Sequence, residues 1–169
     1  MEFNKIRRVL LLVGVSITAV AAAYAFIQKP ALPATTFTTI NGQRIGPNDL
    51  RSKIVLVNFW ATSCGFCMQE MPELIATYRQ YQNRGFEVIA VAMYYDEPDK
   101  VREYVAKQGL PFPVVFDKDG QLAREFGQVS ATPTTLLIDK SGKLISRTIG
   151  IINFGKLRAF LESHENLTH

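Results

Sequence analysis

The stretch Lys53-Ile-Val-Leu-Val-Asn-Phe-Trp60 runs directly into Ala-Thr-Ser-Cys64-Gly-Phe-Cys67. Its first part is a continuous apolar run rich in β-branched and aromatic residues. Such a run is typical of a strand that is buried on both faces of a parallel sheet. Apolar residues at helical spacing follow over residues 65–83. The two cysteines are therefore predicted to lie where a buried strand ends and a helix begins.

The rest of the pattern predicts an α/β fold. Four further strands are predicted: 86–93, 112–116, 134–139 and 144–150. Three further helices are predicted: 97–108, 121–126 and 154–162. The last two strands flank a tight turn at residues 140–142 and are expected to form an antiparallel hairpin. The order βαβαβ followed by ββα indicates a mixed sheet with an antiparallel edge and helices on both faces.

Composition and charge exclude some classes of protein. The chain has 169 residues, of which 47% are hydrophobic and 20% charged, so wholesale disorder is excluded. The net charge is +4. Residues 1–29 hold four basic side chains and one acidic, which leaves 15 basic and 14 acidic in residues 30–169. Because the body is nearly neutral, no nucleic-acid partner is expected.

Residues 9–27 carry no charge, and Arg7 and Arg8 come just before them. As a helix this segment would be about 28 Å long, close to the ~30 Å hydrocarbon core of a bilayer. We expect a retained anchor with a cytoplasmic N-terminus. The alternative is a signal peptide cleaved near Ala23-Tyr24-Ala25. Both readings place the body outside the cytoplasmic membrane, in the periplasm or an equivalent extracytoplasmic space. The predicted division is residues 1–8 cytoplasmic, 9–27 anchor, 28–36 linker, 37–163 domain and 164–169 tail.

Cys64 and Cys67 are the two cysteines of the chain. Free N–H groups and the helix dipole at a helix start favour thiolate over thiol. Cys64 would attack a substrate disulfide, and Cys67 would resolve the mixed disulfide. A C-x-x-C pair in this context is a redox signal. The alternatives are a zinc site, for which His164 and His169 lie in the predicted tail, and an inert disulfide, which would constrain the unfolded chain little.

Four segments occur in a fixed order: VNFWATxCGxCxxEMP at 57–72, GFEVIAV at 85–91, LPFPVVFD at 110–117 and ATPTTLLID at 131–139. Together they resemble the membrane-anchored thioredoxin-like proteins of the TlpA/ResA type over about residues 34–163. The resemblance implies a thioredoxin-like fold with an extra strand and helix inserted in the middle. It also implies an extracytoplasmic disulfide reductase of the cytochrome c maturation type. Its clients would be oxidised proteins such as apocytochrome c, its electron donor a transmembrane thiol carrier, and its redox group the Cys64–Cys67 disulfide, with no other cofactor.

The resemblance also implies the residues that meet the substrate. Thr132 and Pro133 would form a cis peptide bond and present backbone groups to an extended polypeptide. Without the resemblance, the residues do not indicate a cis bond, and Pro133 is compatible with the first position of a strand. Trp60 is expected to pack under the site, and Trp60 and Phe66 are the other expected substrate-binding residues. Phe66 and Ser63 depart from the family, which often has proline and tryptophan at these two positions.

A proton relay is expected at Glu70. Thioredoxin carries a buried aspartate below its dithiol, whereas the matching Asn58 here cannot ionise. Glu70 lies three residues after Cys67 on the same predicted helix, and the related reductases have a glutamate at this place. A partly buried carboxylate there would have a raised pKa and could relay the proton of Cys67. The alternative is an acidic residue that merely favours the first turns of the helix.

Two further features carry weaker expectations. Pro72 removes a backbone N–H inside the predicted helix, so a kink is expected there. The residues Tyr94, Tyr95 and Asp96 are expected to lie in a solvated loop, with substrate contact as the alternative.

Three functions remain open for the dithiol. The first is reduction of protein disulfides, and the second is the reverse reaction, disulfide formation; the reduction potential decides between them. The third is a copper-binding chaperone on the same fold. Such chaperones use C-x-x-x-C and a distal histidine, whereas residues 1–163 contain no histidine. A peroxidase is disfavoured because it does not need a close C-x-x-C pair.

Overall fold

The computed structural model describes Pro33 and residues 35–165. The predicted cytoplasmic segment, the predicted anchor over residues 9–27 and most of the predicted linker lie outside these residues. Within the described part of the chain, no helix has the length and apolar character needed to span a membrane.

The described residues form seven strands, four helices and one short 3₁₀ turn. The strands are β1 (Phe37–Thr38), β2 (Arg44–Ile45), β3 (Ile54–Trp60), β4 (Phe86–Ala92), β5 (Val114–Phe116), β6 (Thr134–Ile138) and β7 (Leu144–Ile149). The helices are α1 (Gly65–Tyr81), α2 (Pro98–Gln108), α3 (Gln121–Glu125) and α4 (Phe154–Glu165), and the 3₁₀ turn Gln82–Arg84 follows α1.

Five strands form one mixed sheet in the order β5-β4-β3-β6-β7. Strands β3, β4 and β5 are parallel, and β6 is antiparallel to both β3 and β7. The α/β fold with an antiparallel edge is thus confirmed. Helix α2 and strand β5 lie between β4 and α3 in the chain.

The central position of β3 in the sheet explains why six of its seven residues are apolar, Asn58 being the exception. Leu56 and Trp60 belong to a core cluster that includes residues of α1, α2 and α4. Val57 and Phe59 belong to a second cluster, which includes residues of α3 and of the β1–β2 hairpin. Successive side chains of a strand point to opposite faces of the sheet, so a central strand covered on both faces carries apolar residues on both of them.

Local signals place the helix ends. Helix α2 has Pro98 in its first turn and is followed by Gly109 at φ 57°, a left-handed conformation that suits glycine and ends the helix. Helix α1 runs through Pro72 and ends at Tyr81.

Two features differ from the sequence-based expectation. The β1–β2 hairpin was not predicted, because strands of two residues are too short to show a period. The predicted tail at residues 164–169 begins too early, since α4 continues to Glu165. In this last part of the helix, the ring of His164 stacks on Phe160 at a centroid distance of 4.0 Å.

Candidate active site

The candidate site lies at the edge of the sheet where β3 ends. Phe59 near the end of β3 pairs with Thr134 at the start of β6. The antiparallel register therefore brings the residues before β6 to the same edge as the residues after β3. The Thr132–Pro133 peptide bond at this edge is cis, and the carbonyl of Pro133 accepts a hydrogen bond from the N–H of Gly150 at 2.8 Å.

Cys64 and Cys67 form a disulfide across the first turn of α1, with their Cα atoms 5.2 Å apart. Cys64 is the N-cap of the helix in an extended conformation, and its Sγ accepts a hydrogen bond from the N–H of Cys67 at 3.2 Å. Cys64 is partly exposed, whereas Cys67 has no exposed surface. One sulfur is thus accessible and lies at the positive end of a helix, and the other is sheltered behind it.

Glu70 is the buried carboxyl group of the site, with 2% of its surface exposed. Its Oε1 accepts a hydrogen bond from Nδ2 of Asn58 at 2.9 Å, and its Oε2 accepts one from the N–H of Ile152 at 3.2 Å. Burial raises the pKa of the Glu70 carboxyl above its ordinary value of 4.5, and the two hydrogen bonds partly oppose that rise. The sequence predicted a partly buried carboxylate, and the structure buries Glu70 almost completely.

Asn58 ties this carboxyl to the sheet. Its side chain is fully buried, and Nδ2 also donates to Oγ1 of Thr135 on the neighbouring strand β6 at 3.0 Å. Glu70 on α1 is therefore linked to β3, to β6 and to Ile152 in the segment after β7. The sequence identified Asn58 only as a residue that cannot ionise, and its role as a hydrogen-bond donor to Glu70 emerges from the structure.

Trp60 does not fit its expected role in substrate binding. It is fully buried, and its ring lies 5.3 Å from that of Tyr104, centroid to centroid. A side chain without exposed surface presents nothing to a substrate in this state, so Trp60 packs under the site. Phe66 is accessible to a substrate, since 65% of its surface is exposed.

Asp96 is not the solvated loop residue that the sequence predicted. Only 9% of its surface is exposed. Its carboxylate accepts hydrogen bonds from both the backbone N–H and the hydroxyl of Thr62, two residues before Cys64. An acidic residue in a loop after a buried strand gave no signal of this contact, because the partner lies 34 positions away.

Exposed apolar side chains gather at the same edge of the sheet. Large exposed hydrophobic side chains among the described residues are Phe66, Tyr94, Tyr95, Ile149 and Ile151. One is in the first turn of α1, two follow β4, and two are at the end of β7 and just after it. Tyr95 also reaches the segment before β6, with its hydroxyl 3.2 Å from Oγ1 of Thr132.

The described residues contain no group of three or more His, Cys, Asp or Glu side chains arranged to hold a metal ion. The Cys64–Cys67 pair, in which Cys64 is partly exposed and Cys67 is buried, can perform thiol–disulfide exchange.

Comparison with known proteins agrees with this geometry. Residues 27–147 match the AhpC/TSA family. A thiol-disulfide oxidoreductase ResA of Bacillus thuringiensis is 37% identical over 131 residues, which cover 77% of this chain and 74% of that protein. The protein of the same name from Geobacillus thermodenitrificans is 33% identical over 162 residues, covering 92% of this chain and 91% of that protein.

Solved structures show the same fold. A thioredoxin-like protein of Neisseria meningitidis superimposes with a TM-score of 0.74 at 38% identity, covering 80% of this chain and 89% of that one. StoA of Bacillus subtilis superimposes with a TM-score of 0.66 at 26% identity, covering 77% of this chain and 98% of that one. The chain therefore belongs to the AhpC/TSA family and is a thiol-disulfide oxidoreductase of the ResA type, with a thioredoxin-like fold.

Proposed function

We propose that this oxidoreductase reduces disulfides of extracytoplasmic proteins while tethered to the cytoplasmic membrane, and that apocytochrome c is its client. The observation that carries the thiol–disulfide exchange in this proposal is the asymmetry of the dithiol. Cys64 is accessible at the start of α1, and Cys67 is buried behind it. The uncharged residues 9–27, preceded by Arg7 and Arg8, support the tether.

The reaction proceeds in two exchanges. The Cys64 thiolate attacks one sulfur of the substrate disulfide, a mixed disulfide forms, and the other substrate sulfur leaves as a thiolate. The Cys67 thiolate then attacks the Cys64 sulfur and releases the second substrate thiol. The substrate gains two electrons and two protons, and the enzyme is left with the Cys64–Cys67 disulfide. A transmembrane thiol carrier supplies the electrons that restore the dithiol.

The hydrogen bond from Cys67 N–H to Cys64 Sγ supports the choice of Cys64 as nucleophile. An N–H donor and the positive end of a helix both stabilise a thiolate at this position. Glu70 takes the proton that Cys67 must lose before the second exchange. Its raised pKa suits that transfer, since a carboxyl with a pKa nearer neutrality exchanges protons with a thiol more readily.

The exposed apolar side chains around the site support a polypeptide as substrate. Several large apolar side chains exposed near one site are typical of an interaction surface. Phe66 lies between the two cysteines in sequence, and Ile151 follows Gly150, which is bonded to Pro133. A polypeptide whose disulfide reaches Cys64 would cover these side chains, with Thr132 and Pro133 contacting its backbone.

The test is reduction of an oxidised peptide that carries the haem-attachment motif C-x-x-C-H. The reduced full-length protein in detergent should convert one peptide disulfide to a dithiol for each protein disulfide formed, and Cys64→Ser should be inactive. Phe66→Ser should raise the KM for this peptide about five- to thirtyfold, the loss expected for about 1–2 kcal/mol of apolar contact. It should leave the reduction of a small dialkyl disulfide unchanged. No electron transfer to the peptide, with the small disulfide still reduced, would contradict the proposed client.

A further inference from the structure

The loop between β4 and α2 is held by hydrogen bonds to the turn that carries Cys64. Both carboxylate oxygens of Asp96 accept hydrogen bonds from Thr62: Oδ2 from the backbone N–H and Oδ1 from the hydroxyl, each at 2.6 Å. Oδ1 also accepts a hydrogen bond from the N–H of Glu97 at 2.9 Å. Because Asp96 is almost buried, these protein donors replace water around its carboxylate.

Thr62 is a central residue of the turn that leads into α1. The N–H of Cys64 donates to the carbonyl of Ala61 at 3.1 Å, so Thr62 and Ser63 are the two middle residues of a β-turn. Cys64 is the last residue of this turn and the N-cap of the helix. Holding the N–H and the hydroxyl of Thr62 together fixes the orientation of the turn and, through it, the direction of the Cys64 side chain.

The other end of the loop is attached to β3. The N–H of Met93 donates to the carbonyl of Trp60 at 2.9 Å, and the N–H of Asp96 donates to the carbonyl of Met93 at 3.0 Å. Asp96 is therefore held in a turn of its own, next to the strand that delivers the cysteines. A carboxylate placed this way acts as a fixed support for Thr62, because its own backbone cannot easily move.

We propose that Asp96 is a positioning residue for thiol–disulfide exchange: through Thr62 it holds the Cys64 sulfur in the orientation needed for attack. The Cys64–substrate bond forms as the substrate disulfide breaks, and this exchange needs the three sulfur atoms nearly in line. Displacing a reacting group by about 1 Å can slow a reaction by as much as 10²-fold. The proposal concerns the exchange itself, so it applies to either direction of the reaction and does not depend on the client.

The experiment measures the second-order rate constant for exchange between the reduced full-length protein and a small dialkyl disulfide, from pH 5 to 9. Thr62→Val removes the hydroxyl donor, and Thr62→Ser keeps it. Asp96→Asn removes one acceptor and the charge, and the matched control Asp99→Asn makes the same change at an exposed side chain in the first turn of α2. Thermal unfolding is recorded for every variant.

We expect Thr62→Val to react about tenfold more slowly at every pH, and Thr62→Ser to react like the parent protein. Asp96→Asn should be at least as slow as Thr62→Val, and Asp99→Asn should be unchanged. The double variant of Thr62→Val and Asp96→Asn should be no slower than Asp96→Asn alone, because both changes remove the same contact.

The proposal is overturned if Asp96→Asn reacts like Asp99→Asn, or if the melting temperature falls while the rate constants stay the same. Additive losses in the double variant would also overturn it. If Asp96→Asn does not fold, the comparison of Thr62→Val with Thr62→Ser decides, and equal rates for these two variants contradict the proposal. Because a small disulfide is the reagent, a negative result with the haem-motif peptide leaves this test unaffected.

Discussion

The side-chain amide of Asn58 donates a hydrogen bond to the Glu70 carboxyl at 2.9 Å, and neither side chain has more than 2% of its surface exposed. Cys67, three residues before Glu70 on α1, is fully buried too. The interior of the site thus contains a carboxyl group with a raised pKa on the same helix as the resolving thiol. Because of this arrangement, we expect the protonation of Glu70 to affect both the titration of the thiols and the stability of the protein. The first prediction below concerns the order in which the two cysteines react.

Cys67→Ala should trap a mixed disulfide with the substrate through Cys64, whereas Cys64→Ala should trap none. The reason is access, since Cys64 is partly exposed and Cys67 is sealed behind it. The measurement is non-reducing electrophoresis followed by mass spectrometry of the adduct. Alkylation of the reduced protein that labels Cys67 before Cys64 would contradict the assignment.

Glu70→Gln should lower the apparent pKa values of the two thiols in the reduced protein. A buried negative charge disfavours a second one nearby, so the parent carboxylate keeps Cys67 protonated to higher pH. The carboxyl and the thiols then titrate as a coupled group. Thiolate absorbance against pH measures the effect. The control is Glu73→Gln on the same helix, where the side chain is about half exposed and paired with Arg158. Superimposable curves for Glu70→Gln and the parent would refute the coupling.

The stability of the oxidised protein should fall as the pH rises from 4.5 through the raised pKa of Glu70. In that window the folded protein keeps a proton that the unfolded chain has released, so unfolding becomes easier with increasing pH. The loss amounts to about 1.4 kcal/mol for each pH unit between the two pKa values. Denaturant unfolding of the oxidised protein across this range measures it.

Two variants sharpen this stability test. Glu70→Gln should remove the contribution of residue 70 to the pH dependence of the protein's stability, because glutamine does not titrate. Asn58→Leu should widen the window, because the lost hydrogen bond had stabilised the ionised carboxyl. If Glu70→Gln shows the same pH dependence as the parent protein, the raised pKa is not a property of Glu70.

The full-length protein should remain with the membrane fraction after carbonate extraction. Residues 9–27 are uncharged over a length that matches the hydrocarbon core, as a retained anchor requires. Val15→Arg near the middle of the segment should weaken insertion by about 2.5–3.5 kcal/mol. A soluble mature form that begins near Phe26 would instead establish cleavage of a signal peptide.

The sheet could be predicted from the sequence because the apolar pattern of its central strands is easily recognised. Strands β3 and β4 are apolar at every position except Asn58 and Glu87. Gly85 and Gly109 mark helix ends that the structure confirms at φ 79° and 57°. The β1–β2 hairpin could not be predicted, because two-residue strands have no period to detect and are held by the edge of β5 through Thr39 and Val115.

The site was predictable where its residues are neighbours in sequence and not where they are distant. Cys64, Cys67 and Glu70 follow one another at helical spacing, so one helix places all three. The partners of Glu70 and Thr62 could not be inferred, because Ile152 and Asp96 lie 82 and 34 positions away and come into place only when the sheet forms.

The central claim is that electrons flow from this dithiol to the substrate, and the equilibrium reduction potential of the Cys64–Cys67 couple in the purified full-length protein tests it most directly. Equilibration with glutathione or dithiothreitol buffers, followed by counting of alkylated cysteines, gives the value. Our account predicts about −250 mV or lower, within the range of reductants such as thioredoxin, where about 30 mV shifts the equilibrium tenfold. A value near −120 mV, that of a strong disulfide-forming oxidant, would contradict it.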